Sequence, residues 1–544
     1  MQDVFLRQSL PDQARYRESG AWADESFADV LRARVARHPD RVVVTDAQRQ
    51  LTYAQLEDAI LRVADLLARQ GIGAGDIVAV QLPNWIEFLP VYFAIERVGA
   101  IGAPVSVEFR SSEVDHVLRT TGARGLISCG EYKAFDHQAM ALGLRAELPG
   151  LTLVSVVRGA VRDGVVALDS LLASRGRPDD FVEVPVDPDS MTRMMFTSGT
   201  TGKPKGVTHN HNTSLWPARM LNMDMDVGEE DVMLLFLPLA LNWGYLSVLQ
   251  VVLAGCKLVL MEKFAAEPAL KLIEAERVTY FAAAPASIVA MLNVPEQEAF
   301  DLSSLRTVIT GGTSCPIETI RTFRKRIEGD LIELYGMLEC GGYHTYTRRS
   351  DDPEQVCGSV GRCGTEMRLR ISPFNGTGSL PDGETGEIQS QGPGTQMGYY
   401  KRPDANAEAY TEDGWFRSGD LGMIDKDGNL RIVGRLKEII NRGGKKYYPR
   451  EVEEILYTHP AVLQCAVIGI PDERLGESNC LCVVPHAGCN PSLQDFVDFL
   501  RDRVAVYKLP ERLELVAELP MTPTGKIQRH VLVKELTQRD RETA

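Results

Sequence analysis

The chain has 544 residues, 44% of them hydrophobic, which is length for about three or four domains and ample apolar content for large cores. Its formal net charge of −15 excludes the broad basic face that nucleic acid or an anionic membrane surface requires, leaving local patches such as "NRGGKK" for a small polyanion. No apolar run approaches the ~20 residues that span a bilayer, and "MQDVFLRQSLPDQ" lacks the apolar core of a signal peptide, so no membrane insertion and a cytoplasmic location are expected.

Along the chain, Phe27, Val30, Leu31 and Val35 recur at helical spacing and predict a helix, followed by a β-branched strand at Val42 to Val44. A capped helix from about Thr52, breakers at Gly71, Gly73 and Gly75, and a strand at Ile77 to Val80 repeat that order. The alternation continues through "FLPVYFAIERVGAIGAPV" and "ALKLIEAERVTYFAAAP", which predicts a layered α/β architecture with buried sheets. After Gly358 the texture changes to short strands and turns, "EMRLRI", "GEIQSQG" and "GNLRIVGR", which predict a mostly β lobe. From Glu451 a helix ending at His459-Pro460, a strand and then "NCLCVVPH" predict a small α+β unit, joined to the rest near Gly434-Arg435-Leu436-Lys437. The ten cysteines lack paired metal-ligand spacing, and Cys480 and Cys482 read as reduced core residues on one strand face.

Five stretches carry chemistry. "MMFTSGTTGKPKGVTH", Met194 to His209, concentrates three glycines, five Ser/Thr hydroxyls and two lysines, the equipment for holding a phosphate chain. It is not the GxxxxGK[ST] loop, because Gly199 and Gly202 lie too close and Pro204 follows Lys203 where a magnesium-binding hydroxyl belongs. "ELYGMLECGG" places Glu339 after a turn at Gly336, where a carboxylate can hold magnesium between phosphate oxygens. "GWFRSGDLGMID" puts Asp420 in a tight turn, suited to accept from two vicinal ribose hydroxyls. "GRLKEIINRGGKKYYPREVE" combines Arg435, Lys437 and a glycine pair, and "PMTPTGKIQR" sets Lys526 beside Gly525.

In this order, "FTSGTTGKPKGV", "YGMLE", "GWFRSGDLG", "GRLKEIINRGG" and "PTGK" make the chain resemble, over essentially its whole length, the adenylate-forming superfamily of acyl-CoA synthetases, aryl-acid activating enzymes, peptide-synthetase adenylation domains and luciferases. The resemblance implies an α/β fold: a large N-terminal domain, 1–434, of layered subdomains plus a β lobe, a hinge at 435–437, and a small mobile α+β domain, 438–544. It implies two steps, in which a carboxylate and ATP give an acyl-adenylate and pyrophosphate, and a thiol then displaces AMP. By matching motif, Thr197, Ser198, Gly199, Thr200, Thr201, Gly202, Lys203 and Lys205 would cradle the β- and γ-phosphates. Gly311, Gly312, Tyr335, Gly336, Met337, Leu338, Asp420 and Arg435 would complete the ATP site, with Asp420 on the ribose and Glu339 on Mg2+. Lys526 would bridge the carboxylate and the α-phosphate, Lys437 would be the hinge, and Gly443, Gly444, Lys445 and Lys446 would line the path of CoA.

Two positions depart from the family pattern. Leu338 stands where a Thr or Ser usually precedes the magnesium glutamate, and Leu241 where many relatives carry His. Leu241, Asn242, Trp243, Gly244, Gly311, Gly312 and Met337 match acyl-pocket positions; Trp243 would shorten that pocket and Asn242 could bond a ring hydroxyl or carbonyl, while plain core packing of Trp243 is the alternative. "FRSSEVDHVLRTTGAR" and "EYKAFDHQAMALGLRAELPGL" look most like cyclohexanecarboxylate-CoA ligases, which implies CoA as thiol and a cyclic, aromatic or medium-chain acid. A stand-alone aryl-acid adenylating enzyme loading a carrier protein and a nucleotide-binding pseudoenzyme are the alternatives, and a homodimer is one assembly the resemblance allows.

Overall fold

The computed structural model describes residues 13–174, 176–178, 181–197, 204–295, 299–313, 315–352, 358–374, 376–472, 474–521 and 527–543. The first helices form where local chemistry closes their ends. Ser26 caps Phe27–Arg37 and Thr52 caps Tyr53–Arg69, each in a reciprocal capping box that satisfies otherwise orphaned amides. The second presents Leu56, Ile60, Val63 and Leu67 to the helix Phe88–Arg97, and a bidentate Arg97–Glu57 pair at 2.9 and 2.8 Å is sealed between them.

Two large sheets organise most of the chain. An eight-stranded sheet runs in the order 398–399, 206–210, 191–196, 101–104, 77–81, 125–129, 153–157 and 166–167. A nine-stranded sheet runs 362–363, 345–346, 330–335, 307–311, 280–283, 232–235, 257–260, 42–45 and 50–52. Their facing sides share one apolar core, in which Val80 and Met195 of the first sheet meet the same cluster as Leu235, Ile309 and Ile332 of the second, with Trp216, Tyr92 and Tyr245 from the helices between.

The β texture after Gly358 resolves into a four-stranded antiparallel sheet, 368–372, 386–391, 416–424 and 430–435. That lobe is not contiguous in sequence. Arg362–Cys363 extends the nine-stranded sheet and Gly398–Tyr399 pairs with Gly206–Asn210 in the eight-stranded one, because short edge strands are recruited wherever a ladder has unpaired groups to offer. A five-stranded sheet forms the C-terminal unit, where Cys480 and Cys482 lie buried with Ala466, Ile468 and Leu532. Among the described residues no helix is long and apolar enough to cross a membrane.

Burial also stores a pH response. His344 is fully enclosed and among the described residues neither ring nitrogen has a hydrogen-bond partner, so desolvation pushes its pKa down to about 3. A depressed pKa gives stability that is present above the unfolded value of 6.5 and is lost as pH falls toward the folded value. His344→Phe should therefore escape about 2 kcal/mol of the stability that the parent chain loses between pH 7 and pH 5. Urea midpoints at both pH values measure this, and an equal loss in parent and variant would show that His344 does not titrate on unfolding.

Candidate active site

Three parallel strands deliver the chemistry-bearing loops from their carboxyl ends, the edge where ligands bind in open α/β sheets. Met191–Phe196 leads into the glycine-rich candidate loop, Thr307–Gly311 into Gly312, and Asp330–Tyr335 into Gly336 and Glu339. Thr197 and Lys205 close the base of the first loop through an amide-to-carbonyl bond of 3.1 Å. Ser198, Gly199, Thr200, Thr201, Gly202 and Lys203 lie outside the described residues, as does Lys526.

Glu339 sits in a single 3₁₀ turn, Leu338–Cys340, half-buried, and the Tyr399 hydroxyl donates to its Oε1 at 3.0 Å. The Lys205 ammonium lies 4.6 Å from the centre of the Tyr399 ring. Burial lowers the Lys205 pKa, and the positive charges of Lys437 and Arg402 lower it further, against the opposing pull of Glu339 and Glu408. Cations gathered in this way raise the local positive potential around Lys205. The Leu338 carbonyl accepts from His209 Nε2 at 2.8 Å, so the strand that leaves the phosphate loop pins the glutamate turn. His209 is fully buried, and desolvation holds its pKa well below the ordinary value. The Leu338 side chain fills apolar space between two core clusters.

Asp420 is not in a tight turn. It belongs to the strand Phe416–Ile424, at a bulge where Ser418, Gly419 and Asp420 together oppose Ile388, and Gly419 takes the φ of +71° that the bulge requires. Tyr335 Oη donates to Asp420 Oδ2 at 2.8 Å, and Arg435 Nε meets Oδ1 at 3.0 Å from the facing position on the next strand. Burial, then Asp420, drives the Tyr335 phenol well above its ordinary pKa, while Asp420 raises that of Arg435. Two residues on, Lys437 lies in the turn Leu436–Glu438 that joins the four-stranded to the five-stranded sheet. Glu438 pairs with Arg529 at 3.3 Å, and Arg529 also grips Glu453 with two bonds of 2.7 Å.

On the acyl side, Leu241 precedes the helix Asn242–Ala254, and Asn242, Trp243 and Gly244 form its first turn. Trp243 is half-buried; its ring edge lies 3.1 Å from where a side chain on Gly311 would begin, so the two expected pocket positions are neighbours. Arg193 donates to Asn242 Oδ1 at 2.9 Å. Met337 packs instead beside Val207, Cys340 and Tyr399, toward the glutamate. Gly443 and Gly444 form the two-residue turn of the hairpin 440–447, with φ of +59° and +82°, the signature of a turn compatible with strand twist. Gly443 donates to the Leu475 carbonyl at 2.8 Å and the Lys445 ammonium lies 5.2 Å from the Tyr507 ring centre, both contacts within the C-terminal unit; Lys446 is exposed.

Tyr399, His209 and Arg193 went unassigned in the sequence. "MGYYKRP" offered a tyrosine pair beside basic residues, and His209 closed the phosphate-loop stretch, but neither pattern says which carboxylate or carbonyl the side chain will meet.

Residues 31–400 match the family described as AMP-binding enzyme, and 451–526 match the AMP-binding enzyme C-terminal domain. The chain is 34% identical to a medium-chain fatty-acid–CoA ligase of Escherichia coli (strain K12), over 97% of this chain and 93% of that protein. It is 33% identical to a 2,3-dihydroxybenzoate-AMP ligase of Bacillus subtilis (strain 168), over 96% of each. In fold it is similar to the anthranilate CoA ligase AuaEII, solved in complex with anthranoyl-AMP, with a TM-score of 0.87 at 24% identity, covering 95% of this chain and 98% of that one.

Proposed function

From the premise that the chain belongs to the AMP-binding enzyme family, we propose that it condenses a carboxylic acid with ATP to an acyl-adenylate and passes the acyl group to the thiol of CoA. The observation that carries this reading is two polar groupings, Lys205–Tyr399–Glu339 and Tyr335–Asp420–Arg435, with the charge of Lys437 felt at Lys205. A carboxylate is a poor electrophile, and adenylation turns one of its oxygens into part of a leaving group. Attack on the α-phosphate gathers negative charge, which Lys526 and Arg435 would offset.

The residues present fit the nucleotide. Asp420 spends one lone pair on each of Tyr335 and Arg435, and a carboxylate has about four acceptor sites, so capacity for ribose hydroxyls remains. Glu339 has one oxygen tied to Tyr399 and a second to offer to Mg2+, a hard cation that takes oxygen ligands and neutralises phosphate charge when bound. The Thr197 to Lys205 loop would hold the outer phosphates, and Lys526 would meet the carboxylate and α-phosphate. In this reading the domains are 1–434 and 438–544, the turn at 435–437 is the hinge, and rotation about Lys437 would exchange Lys526 for the Gly443–Gly444 hairpin so that CoA can reach the adenylate.

ATP–pyrophosphate exchange across a panel of cyclic, aromatic and medium-chain acids tests the first step. Exchange with none of them would leave only nucleotide binding. The similarity to a dihydroxybenzoate-AMP ligase favours one second reading, an aryl-acid adenylating enzyme whose acceptor is a carrier protein. AMP release with CoA, compared with release in the presence of a phosphopantetheinylated carrier, decides between the two thiols.

Trp243 gives a further expectation. Its ring closes against Gly311, so Trp243→Ala should shift relative exchange rates toward longer or bulkier acids by about tenfold, since only a larger acid can fill the vacated volume. Unchanged ratios across the panel would place Trp243 in packing alone.

A further inference from the structure

A lysine and a glutamate share one corner of the site without pairing. Lys205 and Glu339 are both half-buried, and among the described residues neither has an ion-pair partner, although the attraction of Glu339 is felt at Lys205. Opposite charges in such surroundings ordinarily close into contact, because partial burial removes much of the screening that water provides. The side chain that touches both is Tyr399. Its hydroxyl donates to Glu339 Oε1 at 3.0 Å, and the Lys205 ammonium lies 4.6 Å from the centre of the same ring.

Tyr399 is fixed by contacts that reach both partners. It is only 6% exposed and belongs to an apolar cluster with Val207, Cys340, Ala405 and Phe416. Its backbone exchanges two bonds with the Asn406 side-chain amide, at 2.7 and 3.0 Å. Strand pairing sets Tyr399 opposite Val207, two residues after Lys205, and the Tyr400 amide donates to the Gly206 carbonyl at 2.9 Å. On the other side, the Gln396 amide donates to the Glu339 carbonyl at 2.7 Å. The segment Gln396 to Tyr400 is thus fastened at one end to the glutamate turn and at the other to the strand that follows Lys205, which gives a reason for Gly398–Tyr399 to leave its sequence neighbours for this sheet. A ring held in this way sets a spacing that the flexible lysine stem by itself does not.

We propose that Tyr399 is a positioning residue that holds the Lys205 ammonium on its ring face and the Glu339 carboxylate on its hydroxyl, and so keeps the two from pairing with each other. A contact pair would cancel the charges that the nucleotide needs, and ATP would have to break it before its phosphates met the lysine or Mg2+ met the glutamate. On a neutral ring face the ammonium keeps its donors for phosphate oxygens, and the glutamate keeps its second oxygen. The inference rests on the ATP-dependent reading above and goes beyond it, since it gives a role to a side chain that carries no charge itself.

The test reads binding and not turnover, by calorimetric titration of the full chain with ATP in EDTA and again with Mg2+. Tyr399→Leu should weaken metal-free ATP binding about tenfold, because Lys205 then closes on Glu339. Adding Glu339→Gln should strengthen metal-free binding at least ~tenfold more in the Tyr399→Leu background than in the parent, since only there does the carboxylate occupy the lysine. Tyr399→Phe retains the ring, so metal-free binding should stay within about threefold of the parent. The affinity gained on adding Mg2+ should fall about tenfold in that variant, because the carboxylate has lost the hydroxyl that orients it. A purely structural Tyr399 would lower thermal stability and leave Glu339→Gln with the same effect in both backgrounds, which overturns the proposal. Tyr399→Phe as damaging as Tyr399→Leu without metal, or a Mg2+ gain that Tyr399→Phe leaves intact, also overturns it. If Tyr399→Leu fails to fold, Tyr399→Met carries the same cycle. Absence of ATP binding by the parent under both conditions is a different outcome, because it defeats the ATP-dependent reading itself and this inference with it.

Discussion

Lys526→Ala should lower acyl-adenylate formation at least ~100-fold in ATP–pyrophosphate exchange, while thioester formation from supplied acyl-adenylate largely survives. The physical reason is charge. When the carboxylate attacks the α-phosphate, two anions approach and the pentacoordinate phosphorus spreads further negative charge over its oxygens. A positioned ammonium stabilises that state more than the separated reactants, and loss of one such preorganised group has an effect of this size. Thiol attack on the finished adenylate places no comparable demand on the same lysine. Lys526 lies outside the described residues, but both flanks are anchored: Met521 pairs with Ile527, and Arg529 is held by Glu438 and Glu453. Arg529 ties the segment after Lys526 to the turn that contains Lys437, so the substitution should act through charge and not through loss of local structure. Equal losses in the two half-reactions would remove the assigned role.

Asp420→Ala should reduce kcat/KM for ATP by ~100-fold or more, most of it as a higher KM. The carboxylate is only 6% exposed, and its removal strands two groups at once, the Tyr335 hydroxyl and the half-buried Arg435 guanidinium. A hydrogen bond to a charged group contributes roughly 1.5–3 kcal/mol, so losing the ribose contacts alone accounts for an effect of this order. Asp420→Asn should lose less, since the amide oxygen still accepts from Arg435 or Tyr335 but carries no charge. A nucleotide variant separates ribose binding from scaffold damage. The parent enzyme should discriminate against 2′-deoxy- or 3′-deoxy-ATP, and Asp420→Ala should show no additional penalty with the same nucleotide. If the deoxy penalty persists in the variant, the ribose partner lies elsewhere.

Much of this architecture was legible before any coordinate. Helical spacing at Phe27 to Val35, the Thr52 cap and the β-branched runs at Val42 and Ile77 are local signals, and the helices and strands form there because capping and side-chain periodicity act over a few residues. The stretch Met194 to His209, Glu339, Asp420 and Arg435 stand out in the sequence as candidates for the same reason, since each sits in a short motif whose composition states a chemical need. Asp420 shows where local reading failed. Gly419 beside an aspartate reads as a turn, but the same positive φ serves a bulge inside a long strand, and only pairing with the neighbouring strands distinguishes the two.

By itself the sequence determined the class of chemistry and the layered α/β order, and it nominated the candidate residues of the nucleotide site. The tertiary structure decided which groups meet. Tyr399 reaches Glu339 across 60 positions and Tyr335 reaches Asp420 across 85. Arg193 reaches Asn242 across 49 positions, and the strand of Gly398–Tyr399 leaves its sequence neighbours for a different sheet. Such meetings depend on register and crossover connections, which arise from burying whole faces of sheets against helices. No short window of sequence carries that information, because hydrophobic burial is non-directional and specifies a face without specifying its partner.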